Sequence, residues 1–246
     1  MKVSFYYWGH QCPCHEAGLR LLERYENRLE ITRTDITGQP DVAWTQGMFF
    51  PMLTVVNDKH RYFAPLRPAF LEALCRGELP PQEPYRPRLG IRVVVGTLET
   101  LTKENLSLAV QCGGDSACSA RAKGAWLEKQ GKAPFGILNR MGDRLLGGAE
   151  FLPSAVVPYD IPKRNDTAFL TCLYGTHPQA DYKSGPLRAL EEMLRPQYRC
   201  ILAISDEEGV FPNGNLELFI RNGYHDLGVI HREDGYCRLH LVEKEL

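Results

Sequence analysis

The chain of 246 residues has no apolar run approaching the roughly 18 residues of a membrane span, which excludes a helical membrane protein. Its first residues, MKVSFYYWGHQCPC, lack the long apolar core and small-residue cleavage site of a secretory signal. The expected location is therefore the cytoplasm, with no membrane partner. Excess charge is missing as well: 29 basic residues face 30 acidic ones, for a net charge of -1. Without a basic field there is little to hold a polyanion, so nucleic acid is not expected as a partner. Internal repeats and low-complexity tracts are also absent. What remains is an ordinary globular composition, 43% hydrophobic and 24% charged, long enough for two domains.

Eight cysteines in a chain without an export signal are expected to be reduced, which leaves thiol chemistry, soft-metal binding or burial to explain them. Neither Cys12/Cys14 nor Cys112/Cys118 has the spacing of a structural zinc knuckle.

The stretch LPPQEPYRPR, 79–88, carries four prolines in ten residues, which forbids a helix interior and starves a sheet ladder of donors. It reads as a linker. Before it, strands are expected at Val3 to Tyr7, near Ile31, through FFPMLTVV and at His60 to Phe63, with a turn at Asn57 to Lys59. Helices are expected from Cys14 to about Arg28, weakly after the second strand, and from Pro68 to Cys75, giving the order βαβαββα. After the linker, strands are expected at Ile91 to Gly96, Phe135 to Asn139, Leu145 to Leu152, Thr167 to Tyr174, Cys200 to Ile204, Leu227 to His231 and Tyr236 to Val242. Helices fall at Cys118 to Gln130, burying Ala122, Ala125 and Trp126, at Pro186 to Leu194, burying Leu187, Leu190 and Leu194, and at Asn215 to Asn222.

A strand leading through a loop into a helix N-terminus aims unpaired amides and a positive dipole end at whatever lies there, which suits a diphosphate. The unit FLTCLYG, loop, SGPLRALEEML has this form. It puts Tyr182 through Arg188 at the anion, with Lys183 and Arg188 supplying charge and Gly185 a close backbone approach. An ordinary strand-loop-helix connection has the same pattern.

The succession of that strand, loop and helix, then CILAIS and NLELFIRNGY, resembles the GNAT acetyltransferases. CGGDSACSARAKGAWLEKQ, NRMGDRLLGGAEFLPSAVVPYDI and FLTCLYG resemble its YoaP-like branch over roughly 89–246. The segments YYWGHQCPCH and FFPMLTVV resemble the active-site turn and cis-proline strand of a thioredoxin or glutaredoxin module over 1–78, with Pro51 at the cis-proline place. The implied architecture is α/β (α+β): a thioredoxin-like domain, the linker, and a GNAT-like mixed-sheet domain.

The resemblance implies an acetyl-CoA-dependent N-acyltransferase acting on a small-molecule acceptor. Leu173, Tyr174, Tyr182, Lys183, Ser184, Gly185, Leu187, Arg188 and Asn215 would contact coenzyme A, with the amides of Leu173 or Tyr174 polarising the thioester. Glu150 is the first candidate for the base, and His177 and Cys172 are the other reactive groups near the strand. Two departures stand out. Phe219 occupies the place of the family's thiolate-protonating tyrosine, and Pro186 removes a loop donor.

Cys12-Pro13-Cys14 is one residue short of CxxC, so a disulfide within it would be strained. It could exchange disulfides through Cys12, bind a soft metal ion such as Zn or Cu(I) through Cys12 and Cys14, or be inert. The alternative to acyl transfer is thus a thiol or soft-metal protein whose second domain binds coenzyme A with little turnover.

Overall fold

The computed structural model describes residues 1–82, 84, 86, 90–113 and 117–246. Much of the expected linker, and 114–116 of the CGGDSAC segment, lie outside the described residues.

The N-terminal unit runs β1 (Lys2–Tyr7), α1 (Cys14–Glu23), β2 (Glu30–Asp35), α2 (Pro40–Thr45), β3 (Met52–Val56), β4 (His60–Tyr62) and α3 (Pro68–Cys75). Its sheet has the order β2-β1-β3-β4. β1 and β2 are parallel, from Lys2 opposite Glu30 to Tyr7 opposite Asp35, because α1 carries the chain back across the sheet. β3 then pairs antiparallel with β1, and β4 with β3. The three-residue turn between β3 and β4 takes positive φ at Asn57 and Asp58, the backbone that matches strand twist in a tight hairpin. Val3, Phe5, Leu22, Tyr25, Leu71 and Leu74 form the core between this sheet and its helices. The resemblance placed a cis peptide at Pro51, whereas the cis bond found among the described residues is Ala133–Pro134.

The second unit contains β5 (Thr97–Leu101), α4 (Leu106–Ala109), α5 (Ala117–Gln130), β6 (Gly136–Met141), β7 (Arg144–Pro153), β8 (Thr167–Gly175), α6 (Ser184–Leu194), β9 (Cys200–Asp206), α7 (Leu216–Arg221), β10 (His225–Glu233) and β11 (Cys237–Glu245). Its seven strands are ordered β10-β11-β9-β8-β7-β6-β5. All neighbours are antiparallel except β8 and β9, which the crossover through α6 makes parallel. One face of the sheet buries Leu170, Leu173 and Ile201 against Leu187, Leu190 and Leu194 of α6 and Leu218 and Phe219 of α7. On the other face Leu138, Leu145, Phe169 and Ile204 share a single apolar cluster with Trp126 and Leu127 of α5. Trp8, Met48, Phe49 and Phe50 of the N-terminal unit belong to that same cluster, so the two sheets are joined by core.

Two expectations fail for identifiable reasons. Ile91, Val93 and Val95 are largely exposed, so the run at 91–96 has no face to bury and forms no regular strand. It lies instead along 178–181, where Val94 N–H donates to Asp181 O at 3.0 Å and Asp181 N–H to Arg92 O at 2.9 Å. The edge strand is the following TLETL. In α5 the buried positions are Ser119, Lys123, Gly124, Trp126 and Leu127, while Ala125 faces solvent.

No helix among the described residues is long and apolar enough to cross a membrane.

Candidate functional site

The N-terminus of α6 is occupied by a side chain of the chain itself. Asp181 Oδ1 accepts from the Lys183 and Ser184 amides at 3.0 and 2.9 Å, and Oδ2 accepts from Ser184 Oγ at 2.6 Å. Arg221 of α7 completes the cage at 3.1 Å. Burial opposes ionisation of Asp181, but these hydrogen bonds outweigh it and hold its carboxyl below the ordinary value. Gly185 is covered as well, since a Cβ there would lie 2.6 Å from Val95 Cγ2. The expected row of open amides is therefore closed by Asp181 and by Val95 of the segment that lies along 178–181.

The opening lies beside it, between β8 and β9. These strands pair only from Thr167 to Phe169 against Cys200 to Leu202, and then part. Beyond that point Leu173 N–H donates to Asn213 Oδ1 at 2.9 Å, and Asn213 Nδ2 donates to Ile204 O at 3.2 Å. One buried amide side chain thus fills the gap between two diverging strands. The same short loop holds Lys183, whose ammonium donates to Pro212 O at 2.8 Å and Asn213 O at 3.1 Å. Burial pushes Lys183 down to about 8.

Of the other expected coenzyme A residues, Leu187 is core, Tyr182 is half-buried, and Tyr174 is buried with its hydroxyl donating to Glu150 Oε1 at 3.1 Å. Arg188 is exposed and donates to Asn222 Oδ1 at 3.1 Å. Asn215 is the N-cap of α7, accepting from Leu218 N–H at 3.1 Å, and so serves the helix rather than the gap.

On the opposite face of β8 the reactive side chains gather. Glu150 of β7 stands opposite Cys172 of β8 in the register. Glu150 Oε2 meets Lys123 Nζ at 2.6 Å, with both side chains buried. Burial disfavours the Lys123 charge, but Glu150 beside it outweighs this and leaves the ammonium's pKa raised. Lys123 also donates to Gln11 O at 2.9 Å, and Gln11 Nε2 donates to Thr171 O at 3.1 Å, so the Cys-Pro-Cys loop is tied directly to β8. Cys172 is pushed up to about 12 by burial and by the Glu150 charge. His177 lies apart, exposed beyond the end of β8 and in contact with Arg144.

Cys14 is the first residue of α1, and the Cys12 thiol beside it donates a hydrogen bond that lowers its pKa. Cys112 and Cys172 are its electrostatic neighbours from the second unit, while Cys118 lies against Arg20. No group of three or more His, Cys, Asp or Glu side chains among the described residues is arranged to hold a metal ion, so Cys12 and Cys14 gain no further ligand. Lys123 and Asn213 were not singled out from the sequence. The i, i+4, i+7, i+8 spacing of Ser119, Lys123, Trp126 and Leu127 carried a signal for the first, and nothing in the pattern marked the second.

No family model matches the chain, and no curated protein matches it. Solved structures do match in part. A ribosomal-protein-alanine N-acetyltransferase from Brucella melitensis is 16% identical over 61% of this chain and 100% of its own, with a TM-score of 0.46. An aminoglycoside 6'-N-acetyltransferase from Enterococcus faecium is 13% identical over 61% and 97%, with a TM-score of 0.42. An acetyltransferase of the GNAT family from Streptococcus pneumoniae is 13% identical over 61% and 99%, with a TM-score of 0.44.

Proposed function

We propose that the second unit is an acyl-CoA-dependent N-acyltransferase of GNAT type. The observation that carries this reading is the parting of β8 from β9 at Phe169, with the Leu173 N–H held by a side chain instead of a strand. A backbone donor satisfied by a replaceable amide is what an extended, amide-bearing ligand needs in order to take a strand's place. The pantetheine arm of acetyl-CoA has that chemistry.

Binding displaces the loop 211–214. That one movement releases two groups, because Asn213 leaves the Leu173 amide and the Pro212 and Asn213 carbonyls leave the Lys183 ammonium. Lys183 then faces the diphosphate, with Arg188 as the outer cation. The α6 amides stay with Asp181, so side-chain cations take the role the sequence assigned to open backbone.

At the thioester the Leu173 amide stabilises the developing oxyanion, an amine attacks the carbonyl, and the thiolate of coenzyme A departs. Glu150, reached through the Tyr174 hydroxyl, accepts the amine's proton. Phe219 is buried against Tyr224 and has no proton to give, so the leaving thiolate is protonated from solvent. The acceptor side is covered by the N-terminal unit, whose strand order and parallel β1/β2 pair support a thioredoxin-like reading.

Titration calorimetry of the full chain with acetyl-CoA and coenzyme A is the test. A dissociation constant in the micromolar range is expected, a binding free energy of about -8 kcal/mol. Absence of heat with both ligands overturns the reading.

A further inference from the structure

The Cys-Pro-Cys loop has a reactive thiol whose neighbour in sequence is badly placed to resolve it. Cys12 and Cys14 enclose one residue, and a disulfide across so small a ring departs from unstrained geometry. The fold brings a different cysteine to hand. Cys14 Sγ lies 4.0 Å from Gly113 O, and a Cβ on Gly113 would lie 3.3 Å from the same sulfur and 2.8 Å from Pro13 Cβ. The absence of a side chain at Gly113 lets 112–113 press against the start of α1, with Cys112 the next residue back. Cys112 is exposed and Cys14 is half-buried, so both are within reach of a small reagent.

We propose that Cys14 and Cys112 form a thiol–disulfide exchange pair bridging the two units, with a small aliphatic disulfide as substrate. Cys14 is the attacking sulfur. It opens a helix of ten residues, where unpaired amides and the dipole favour a thiolate, and the Cys12 thiol donates to it. Cys12 is thereby a supporting donor, contrary to the role its place in the motif suggests. Burial pushes up both Cys112 and Cys172, so the choice of Cys112 as resolving thiol rests on its exposure and on the place of 112–113 against the start of α1.

The steps balance as follows. The Cys14 thiolate attacks one sulfur of RSSR, the S–S bond breaks, and one RS⁻ leaves and takes up a proton. Cys112 loses its proton to solvent and attacks the Cys14 sulfur of the mixed disulfide, expelling the second RS⁻, which is protonated in turn. Two electrons pass from the protein thiols to the substrate, giving one internal disulfide and two RSH. The proposal is independent of the acyl-CoA reading, whose calorimetric test does not involve these residues.

The experiment treats the full reduced chain with 2-hydroxyethyl disulfide, blocks remaining thiols by alkylation, and maps peptides by non-reducing mass spectrometry. A Cys14–Cys112 cross-link is expected in the parent protein. Cys112→Ser should trap the mercaptoethanol adduct on Cys14, and Cys14→Ser should yield neither adduct nor cross-link while keeping the parent far-ultraviolet circular dichroism. Cys12→Ala should still form the cross-link, slower by roughly fivefold for the loss of one hydrogen bond to the thiolate. A cross-link of Cys14 to Cys12 or to Cys172, or a Cys14 that stays unmodified in the folded Cys112→Ser variant, overturns the proposal.

Discussion

Lys123 Nζ and Glu150 Oε2 meet at 2.6 Å between α5 and β7, with side-chain exposures of 1% and 3%. A pair so completely removed from water has lost the hydration of both charges, and its mutual attraction is offset by that loss. Removing one partner therefore leaves the other charge with no compensation. Lys123→Met is expected to cost about 3 to 5 kcal/mol. The double variant Lys123→Met/Glu150→Leu should regain most of it, since neither charge then remains. Urea denaturation of the single and double variants checks this, and equal losses in both would show that packing, not charge, is what the site requires.

Gly9 lies where the Cys-Pro-Cys loop passes over α5. Its φ is +46°, and a Cβ would fall 2.1 Å from Trp126 Nε1, which donates to Thr37 Oγ1 at 3.2 Å. Backbone strain and overlap with a buried indole act together at this one position. Gly9→Ala should lower stability by about 1 to 3 kcal/mol and shift the emission of Trp8 and Trp126, whose rings meet edge to face at 5.6 Å. Thermal melting followed by tryptophan fluorescence measures both, and an unchanged melt would mean the loop can move away from α5.

Asp181 gives the start of α6 a dependence on pH whose sign follows from its hydrogen bonds. Its carboxyl is held below the ordinary 3.8, so its contribution is present above the unfolded value and is lost as pH falls through the lower folded one. Asp181→Asn should cost about 1.5 to 3 kcal/mol near neutrality, the range for hydrogen bonds to a charged group. The gap between parent and variant should close as pH drops below 3.8. Denaturation at a series of acidic pH values tests it, and a gap independent of pH would mean that the carboxylate charge contributes nothing.

The strands and helices were legible where a face is half-buried. SGPLRALEEML buries one side, which periodicity reports directly, whereas Met52–Val56 is buried throughout and was legible as a β-branched run. The segment 91–96 was misread because apolar content alone does not say which surface will cover it, and here Ile91, Val93 and Val95 remain exposed. The site was partly legible. Glu150 and Cys172 were chosen for their chemistry and do face one another, but the partner that sets their electrostatics, Lys123, lies on another element with no local link to either. The cap on α6 was missed because Asp181 sits three residues before Ser184 in a loop, where a carboxylate reads as ordinary solvation. Asn213 was invisible because its role depends on two strands diverging, which is a tertiary event.

Lys183 ties the proposed cofactor site to a measurable proton. Burial lowers its pKa to about 8, so near pH 8 roughly half of the molecules carry a neutral amine in the absence of ligand. A diphosphate drawn against that amine favours its charged form and raises the pKa, so acetyl-CoA binding at this pH should take up about half a proton. Calorimetry in HEPES and in Tris, whose ionisation heats differ, reads the uptake directly from the difference in apparent enthalpy. Lys183→Arg keeps a cation that is charged in both states, so it should bind acetyl-CoA without the uptake. Binding by the parent protein with no proton uptake near pH 8 would place the diphosphate away from Lys183, and the loop 211–214 would then not be the element that opens.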